Sequence, residues 1–511
     1  MREAALFSVY DRTGVVELAR ELEAAGTPIY ATGGTRAHLV DNGVDARDVG
    51  ELTGFPSLFG GRVKTLHPRI FGAILADRDN AEHVAEARQH GVPSISTVVV
   101  NLYPFEATAA REGATFGEAL EQIDIGGVAL IRAAAKNFEF VTVLVEPEQY
   151  AAVRGTGGET DIVTRRRLAT RAFERTAEYD SSIARYLEAG LVASELPGSL
   201  ALTLPLATPL RYGENPQSRA AFYLSRTKHL PEQLGGKALS YNNLLDLDAT
   251  LRLLVREVPE AAERVTRAAI VKHTVPCGVA ERPTAFAAVS AALEADPVSA
   301  FGGIIALDGE VDLPTAETLA NFFLEIVAAP VFDDAALARL QRKKNLRIIR
   351  YDARLPERLA RELRVRSALG GVLAEDDDPA APAETWRCVS SRAPSPAAWR
   401  DMRFAWDVVR HVKSNGVVIA RDGITRGMCA GQTNRVSAVR IACERAADFA
   451  AGAACASDGF FPFPDGLEAA ALAGCTAVIA PEGSIRDAEV VAAADRLGVA
   501  LVFSSHRYFL H

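Results

Sequence analysis

No stretch of about 18 apolar residues runs free of charge or proline in this 511-residue chain, which argues against a membrane-spanning helix. The opening residues, Met1 to Ser8, lack the long apolar segment of a secretory signal and pass directly into a strand pattern. Cysteine is scarce and scattered: six residues, at 277, 388, 429, 443, 455 and 475, none in a CxxC pair. That excludes a disulfide scaffold and leads us to expect reduced thiols in a cytoplasmic protein. Positive charge is in deficit, with 56 Lys and Arg against 65 Asp and Glu, for a net charge of −9. Such a surface disfavours nonspecific attraction to nucleic acid or an anionic membrane, yet a local basic pocket can still hold an anion. We find no repeat of about 20–50 residues. What the chain does have is apolar content, 49% against 24% charged, enough to bury large cores. At roughly 100–200 residues per domain, its length implies three or four folding units.

The first part of the chain alternates strand and helix signals. Ala4 to Val9 reads as a buried strand, Val15 to Ala25 as a helix, and Pro28 to Thr32 as a second strand. A helix over Arg36 to Asp41 follows, then a β-branched strand over Thr97 to Leu102, a helix from Gly127 to Ala135 and a strand from Val141 to Val145. This alternation predicts a parallel sheet covered on both faces, with its site at the carboxyl ends of the strands. Thr164 to Leu187 reads as a long charged helix, and Leu196 to Pro209 as a linker. A second α/β series follows, with strands at Ala269 to Lys272 and Gly303 to Leu307 around a helix from Thr284 to Leu293. The acidic, proline-rich run Glu375 to Pro382 suggests a connection between subdomains. A helix from Met402 to Lys413, a hairpin at Asp422-Gly423 and a strand from Ala500 to Phe503 complete the reading.

Two turns in the first part suit an anion. Ser8-Val9-Tyr10-Asp11-Arg12-Thr13-Gly14 and Ala31-Thr32-Gly33-Gly34-Thr35 each join a strand to a helix through hydroxyl and glycine residues. Free N–H groups at a helix start can cradle a phosphate; each turn taken alone reads equally as an ordinary cap. Arg62 and Lys64 in Gly60 to Pro68 have strand-like spacing, so both cations point to one side and could grip a phosphate or polarise a carbonyl. Asp124 lies among apolar residues just before a helix, and Lys136 near that helix's end; each also fits a simple helix-end charge. Tyr103, at a strand end, is either core or hydrogen-bond donor.

In the second part, Lys272 and His273 end an apolar strand that we expect to break at Pro276, so that both side chains reach one cleft. An imidazole of near-neutral pKa beside a cation is a base with a stabiliser for negative charge, although a lone strand-end His is more often structural. Pro276-Cys277 invites comparison with zinc deaminases, but Gly278-Val279-Ala280 offers no second cysteine and no H-x-E precedes it, so no metal is expected. Further clusters, at Leu210 to Pro216, Asp296 to Gly303, Lys413 to Asn415, Gly431 to Arg435 and Ser457 to Phe463, mix polar and aromatic residues in glycine-rich turns.

The strings GGRVKTLHP, NLYPF, QIDIGG, RAAAKN, LRYGENP, VKH-x-x-PCG, SAFGGI, AGQTNRV and SDGFFPF, in this order over nearly the whole chain, resemble the bifunctional purine biosynthesis family. That family joins an IMP cyclohydrolase to an AICAR transformylase. The resemblance implies an α/β fold: an N-terminal methylglyoxal synthase-like parallel-sheet domain, then a larger transformylase region of cytidine deaminase-like α/β units without zinc. The implied domains are 1–195 and 200–511, the second divided near 375–385. For cyclisation of formyl-AICAR to IMP the matching catalytic positions are Lys64, Tyr103, Asp124 and Lys136. The nucleotide and phosphate cradle matches Ser8, Arg12, Thr13, Gly14, Thr32, Gly33, Gly34, Thr35, Arg62, Thr65, Gly126 and Gly127. For formyl transfer from 10-formyltetrahydrofolate to AICAR the catalytic matches are Lys272, His273 and Asn415. Arg211, Tyr212, Asn243, Ser299, Phe301, Gly302, Glu325, Gln432, Arg435, Asp458, Phe461 and Arg507 match substrate-lining or partner-supplied positions. A cytoplasmic homodimer with a shared transformylase site is implied, with no nucleic-acid or membrane partner.

This chain departs from the usual family pattern at Tyr10, Arg12, Phe138, Gln217 and Thr274-Val275. Two rival readings are a chain with one live domain and a regulatory nucleotide binder. The charged and proton-handling positions Lys64, Asp124, Lys136, Lys272 and His273 are all present, which speaks against both.

Overall fold

A computed structural model describes residues 3–56, 58–59, 63–156, 158–188, 196–225, 228–256, 265–376 and 386–511. They form two units: Met1–Leu206 with Tyr223–His229, and Ala207–Phe222 with Leu230–His511. The second unit's two halves share one sheet and one core, so the chain makes two units, not the three or four its length implies. The expected split near 375–385 lies largely outside the described residues.

In the first unit, β1 (Ala4–Ser8), β2 (Ile29–Ala31), β3 (Ala46–Asp48), β4 (Ile95–Val100) and β5 (Thr142–Leu144) form a sheet ordered β3-β2-β1-β4-β5. Every pairing is parallel. Ala5, Leu6 and Phe7 are wholly buried on both faces, the usual condition of a helix-covered parallel strand. The order reverses direction between β1 and β4, and the carboxyl ends there form a crevice suited to ligands. The helix Ile162–Glu188 packs against the helix Gly126–Lys136. Leu196 to Pro209 is not wholly linker: Leu206–Leu210 forms a strand.

The second unit is built on one twelve-stranded mixed sheet. From its centre outward, one half runs Val275–Arg282, Thr266–Lys272, Ile304–Leu307, Ile326–Ala329, Arg347–Arg350, Glu232–Gly235. The other runs Ile424–Cys429, Val417–Arg421, Ala454–Ser457, Ala477–Pro481, Ala500–Ser504, Arg387–Cys388. The topologies are the same: a hairpin, three parallel strands and an antiparallel edge. The halves meet where Ala280 pairs with Ile424. Corresponding glycines repeat the packing, since a Cβ on Gly278 or on Gly427 would each lie 2.1 Å from a helix carbonyl, that of Ala292 or Ala442. The duplication is far longer than a 20–50-residue repeat. One sheet face is covered by a core common to both halves, containing Val271, Ile349, Trp406 and Ile479; the other face carries a separate helical layer for each half.

Candidate active sites

In the first unit, the two turns read as an anion cradle come together at the carboxyl ends of β1 and β2. The Thr32 hydroxyl donates to Ser8 Oγ at 3.1 Å instead of capping its own helix, Gly33–Asp41. Its first N–H groups are thereby left to a ligand. Thr35 Oγ1 accepts the Val9 N–H at 3.0 Å and ties the two turns together. Arg12 reaches over the same helix start, where a Cβ on Gly34 would meet its Nη2 at 3.4 Å. Asn101, beyond β4, accepts the N–H groups of Tyr10 and Asp11 at 2.6 and 2.9 Å and so fixes the course of the first turn.

Asp124 completes this edge. The Tyr179 hydroxyl accepts its N–H at 2.8 Å and donates to the Gln122 carbonyl at 2.6 Å, while the Gly127 N–H donates to Asp124 Oδ1 at 2.7 Å. Burial raises the Asp124 carboxyl above its ordinary value; the Gly127 N–H and the Lys64 charge oppose that rise. Tyr103 is raised by burial and then by the Asp124 charge, so the phenol keeps its proton at neutral pH. Thr65 Oγ1 would lie 2.8 Å from a Cβ on Gly126. Lys64, Thr65, Tyr103, Asp124, Gly126 and Gly127 therefore belong to one edge.

Lys136 does not. It is exposed at the other end of the Gly126–Lys136 helix, about 15 Å along its axis, toward the amino ends of the strands. Arg62 lies outside the described residues, and with it the expectation that Arg62 and Lys64 share a face.

In the second unit the strand does not break at Pro276. It ends at Lys272, and His273 and Thr274 form a two-residue hairpin loop, both with positive φ, at 57° and 59°. Pro276 sits inside the returning strand, at a register shift. Lys272 Nζ donates to the Phe301 carbonyl at 2.8 Å, and His273 is exposed at the tip. Burial pushes the Cys277 thiol up to about 12, so it is no ready nucleophile.

The strand directions place Lys272, His273, Ser299, Phe301, Gly302, Glu325, Asn415, Gln432, Arg435 and Asp458 along one edge of the sheet. Asn415 stands three strand spacings from Lys272, about 14 Å. Its Nδ2 donates to the Gln432 carbonyl at 2.8 Å. Phe301 is exposed and tilts against Phe323, with ring centroids 4.9 Å apart. The Ser299 N–H donates to the capping Asp296 carboxylate at 2.9 Å, and Glu325 pairs with Arg347 at 2.5 Å. Arg211 and Arg507 lie exposed over the rings of Tyr212 and Phe509.

Four predicted binding residues of this unit, Asn243, Arg435, Asp458 and Phe461, are internal. Phe461 is 2% exposed and packs in the helical core, so it presents no surface to a ligand. Asp458 is fully buried in an ion pair with Arg435. Asn243 is buried in a capping box, its Oδ1 accepting the Ser240 N–H at 3.1 Å. Asp246 and Tyr179 were missed by sequence reasoning. Each sits in a helix with only helical periodicity around it, and no local signal marks it. Among the described residues no cluster of His, Cys, Asp or Glu could hold a metal, and no helix is long and apolar enough to cross a membrane.

The family description "AICARFT/IMPCHase bienzyme" matches residues 134–445, and "MGS-like domain" matches residues 14–129. The chain is 48% identical to the "Bifunctional purine biosynthesis protein PurH" of Desulfitobacterium hafniense (strain DSM 10664 / DCB-2), covering 100% of both chains. It is 45% identical to the protein of the same description in Bacillus cereus (strain AH187), again over 100% of both. A solved structure described as "Crystal structure of ForH" is 33% identical, covers 37% of this chain and 99% of its own, and has a TM-score of 0.34.

Proposed function

We propose, from the premise that this chain belongs to the bifunctional purine biosynthesis family and is an AICAR formyltransferase and IMP cyclohydrolase, that its two reactions are divided between its two units. Its substrates are small molecules, and its formyl donor is of the folate type. Residues 1–195 form the cyclohydrolase domain and 200–511 the transformylase, which uses 10-formyltetrahydrofolate. The enzyme works in the cytoplasm, as a homodimer, with no metal. The observation that carries this reading is that Asp124, Lys64 and Tyr103 share one edge in the first unit, while Lys272 and His273 share a hairpin in the second.

In cyclisation the carboxamide nitrogen of formyl-AICAR attacks the formyl carbon of the same molecule, so holding the two ends together supplies much of the rate. The two turns and Arg12 hold the phosphate. Asp124 takes the amide proton, and Lys64 and Tyr103 stabilise the oxygen and protonate the departing water. Lys136, about 15 Å along its own helix from Gly126, stands apart from them within one copy of the chain; an unchanged cyclisation rate in Lys136→Ala removes it from the catalytic set, and a large loss keeps it there. In formyl transfer the weakly nucleophilic AICAR amine attacks the formyl carbon. His273 takes its proton, and Lys272 stabilises the tetrahedral oxygen or the folate nitrogen that leaves. Asn415, about 14 Å along the edge from Lys272, meets the formyl oxygen as the contribution of a second copy. Arg211, Tyr212, Phe301, Gln432 and Arg507 line that site.

The test supplies AICAR with 10-formyltetrahydrofolate and follows tetrahydrofolate and IMP separately. Lys64→Ala should still release tetrahydrofolate while losing IMP; undiminished IMP removes Lys64 from the mechanism. The raised Asp124 carboxyl adds a pH dependence. A base must be ionised, so kcat/KM for supplied formyl-AICAR should rise with pH through a midpoint above the ordinary carboxylate value of about 3.9. Lys64→Met removes the charge that opposes the rise and should move any residual acid limb still higher; a limb shifted downward would contradict the assignment.

A further inference from the structure

The two halves of the twelve-stranded sheet hold their hairpin loops with the same device. In one half, Asp246 accepts the N–H of His273 on Oδ2 at 3.2 Å and that of Thr274 on Oδ1 at 2.6 Å. In the other, Asp401 accepts the Gly423 N–H at 2.9 Å and also bonds the Asp422 backbone. Each aspartate stands six positions after the serine that caps its helix, Ser240 for Tyr241–Arg252 and Ser395 for Pro396–Val409.

The loops differ in cost. Asp422-Gly423 is a residue pair that enters positive φ readily, as a two-residue hairpin of this type requires. His273-Thr274 is not, and a β-branched threonine at φ 59° is an outlier. The strained loop is the one that bears the proposed base, and a strained backbone persists only when its surroundings over-determine it. A carboxylate offers two acceptors and no donor, which matches two converging N–H groups; an amide has only one acceptor oxygen.

We propose that Asp246 is a positioning residue for formyl transfer: by clamping both loop N–H groups it holds the His273-Thr274 turn, and so aims the imidazole and the adjacent Lys272 at the reacting centre. This rests on the assignment of His273 as the base. Asp246 touches neither substrate in this role, so its loss falls on kcat and not on AICAR binding.

The test measures formyl transfer in the full-length enzyme, with KM for AICAR and the thermal unfolding midpoint as checks that the second unit is folded. Asp246→Asn should lower the transfer kcat on the order of 10²-fold, the scale of a small misplacement of a catalytic group, with KM for AICAR within about twofold. Adding Thr274→Gly, which admits positive φ without strain, should recover about tenfold of that loss. Asp401→Asn removes the equivalent clamp from the loop at the opposite edge of the sheet and should leave the transfer kcat within about twofold. An unchanged kcat in Asp246→Asn, an equal fall in Asp401→Asn, or no recovery with Thr274→Gly would each overturn the proposal. His273→Ala in the same assay separates the two levels. Transfer retained there defeats the base assignment itself, whereas transfer lost there but retained in Asp246→Asn defeats the clamp alone.

Discussion

His273→Ala should cut formyl transfer to AICAR by about 10²–10⁴-fold, the usual contribution of a positioned general base, while ring closure of supplied formyl-AICAR stays at the parent rate. The exposed imidazole sits at a hairpin tip, so its removal leaves no cavity and breaks no core contact. Its backbone N–H, the one bonded to Asp246, survives the substitution. The lost activity therefore reports on proton transfer and not on the fold. Tetrahydrofolate release measured under single turnover, with thermal unfolding alongside, checks both halves of this expectation. Equal loss of the two activities would contradict a division of labour between units.

Gly127→Ala should do the reverse. A Cβ there would lie 2.3 Å from Asp124 Oδ2 and 2.8 Å from its carboxyl carbon, closer than real contacts allow. The carboxylate must swing away and give up the Gly127 N–H at 2.7 Å, so cyclisation should fall on the order of 10²-fold or more. Helix propensity acts in the opposite direction, since alanine inside a helix is favoured over glycine by about 1 kcal/mol. A variant as stable as the parent, inactive in cyclisation and intact in formyl transfer, is the expected outcome. Full cyclisation would show that the carboxylate does not need its present place.

The elements were legible where one physical signal dominated. Val15–Ala24 and Ile95–Val100 lie within a residue or two of their predicted spans, because burial pattern and turn residues agreed there. The Asp422-Gly423 hairpin was legible from residue chemistry alone. The His273-Thr274 hairpin was not: a β-branched threonine disfavours the positive φ it holds there, and what holds the loop is a carboxylate 27 positions from His273 in sequence. The helix Gly33–Asp41 starts earlier than predicted because its two glycines, read as the turn that opens it, form its first turn after Thr32. Phe461 looked like part of a binding string and is core, since a motif's spacing says nothing about which of its side chains face inward.

Composition, periodicity and the ordered strings determined by themselves that this is an α/β chain of the bifunctional purine biosynthesis family, because residue type and local spacing carry that information. Which residues meet was decided only by the tertiary structure. Strand order brings the turns after β1, β2 and β4 to one crevice, and strand direction lines up Lys272, Phe301 and Asn415 on one sheet edge. The same geometry sends Lys136 to the far end of its helix and folds Asp246 beneath the loop it holds. Such pairings depend on packing between segments distant in sequence, and no local propensity encodes them.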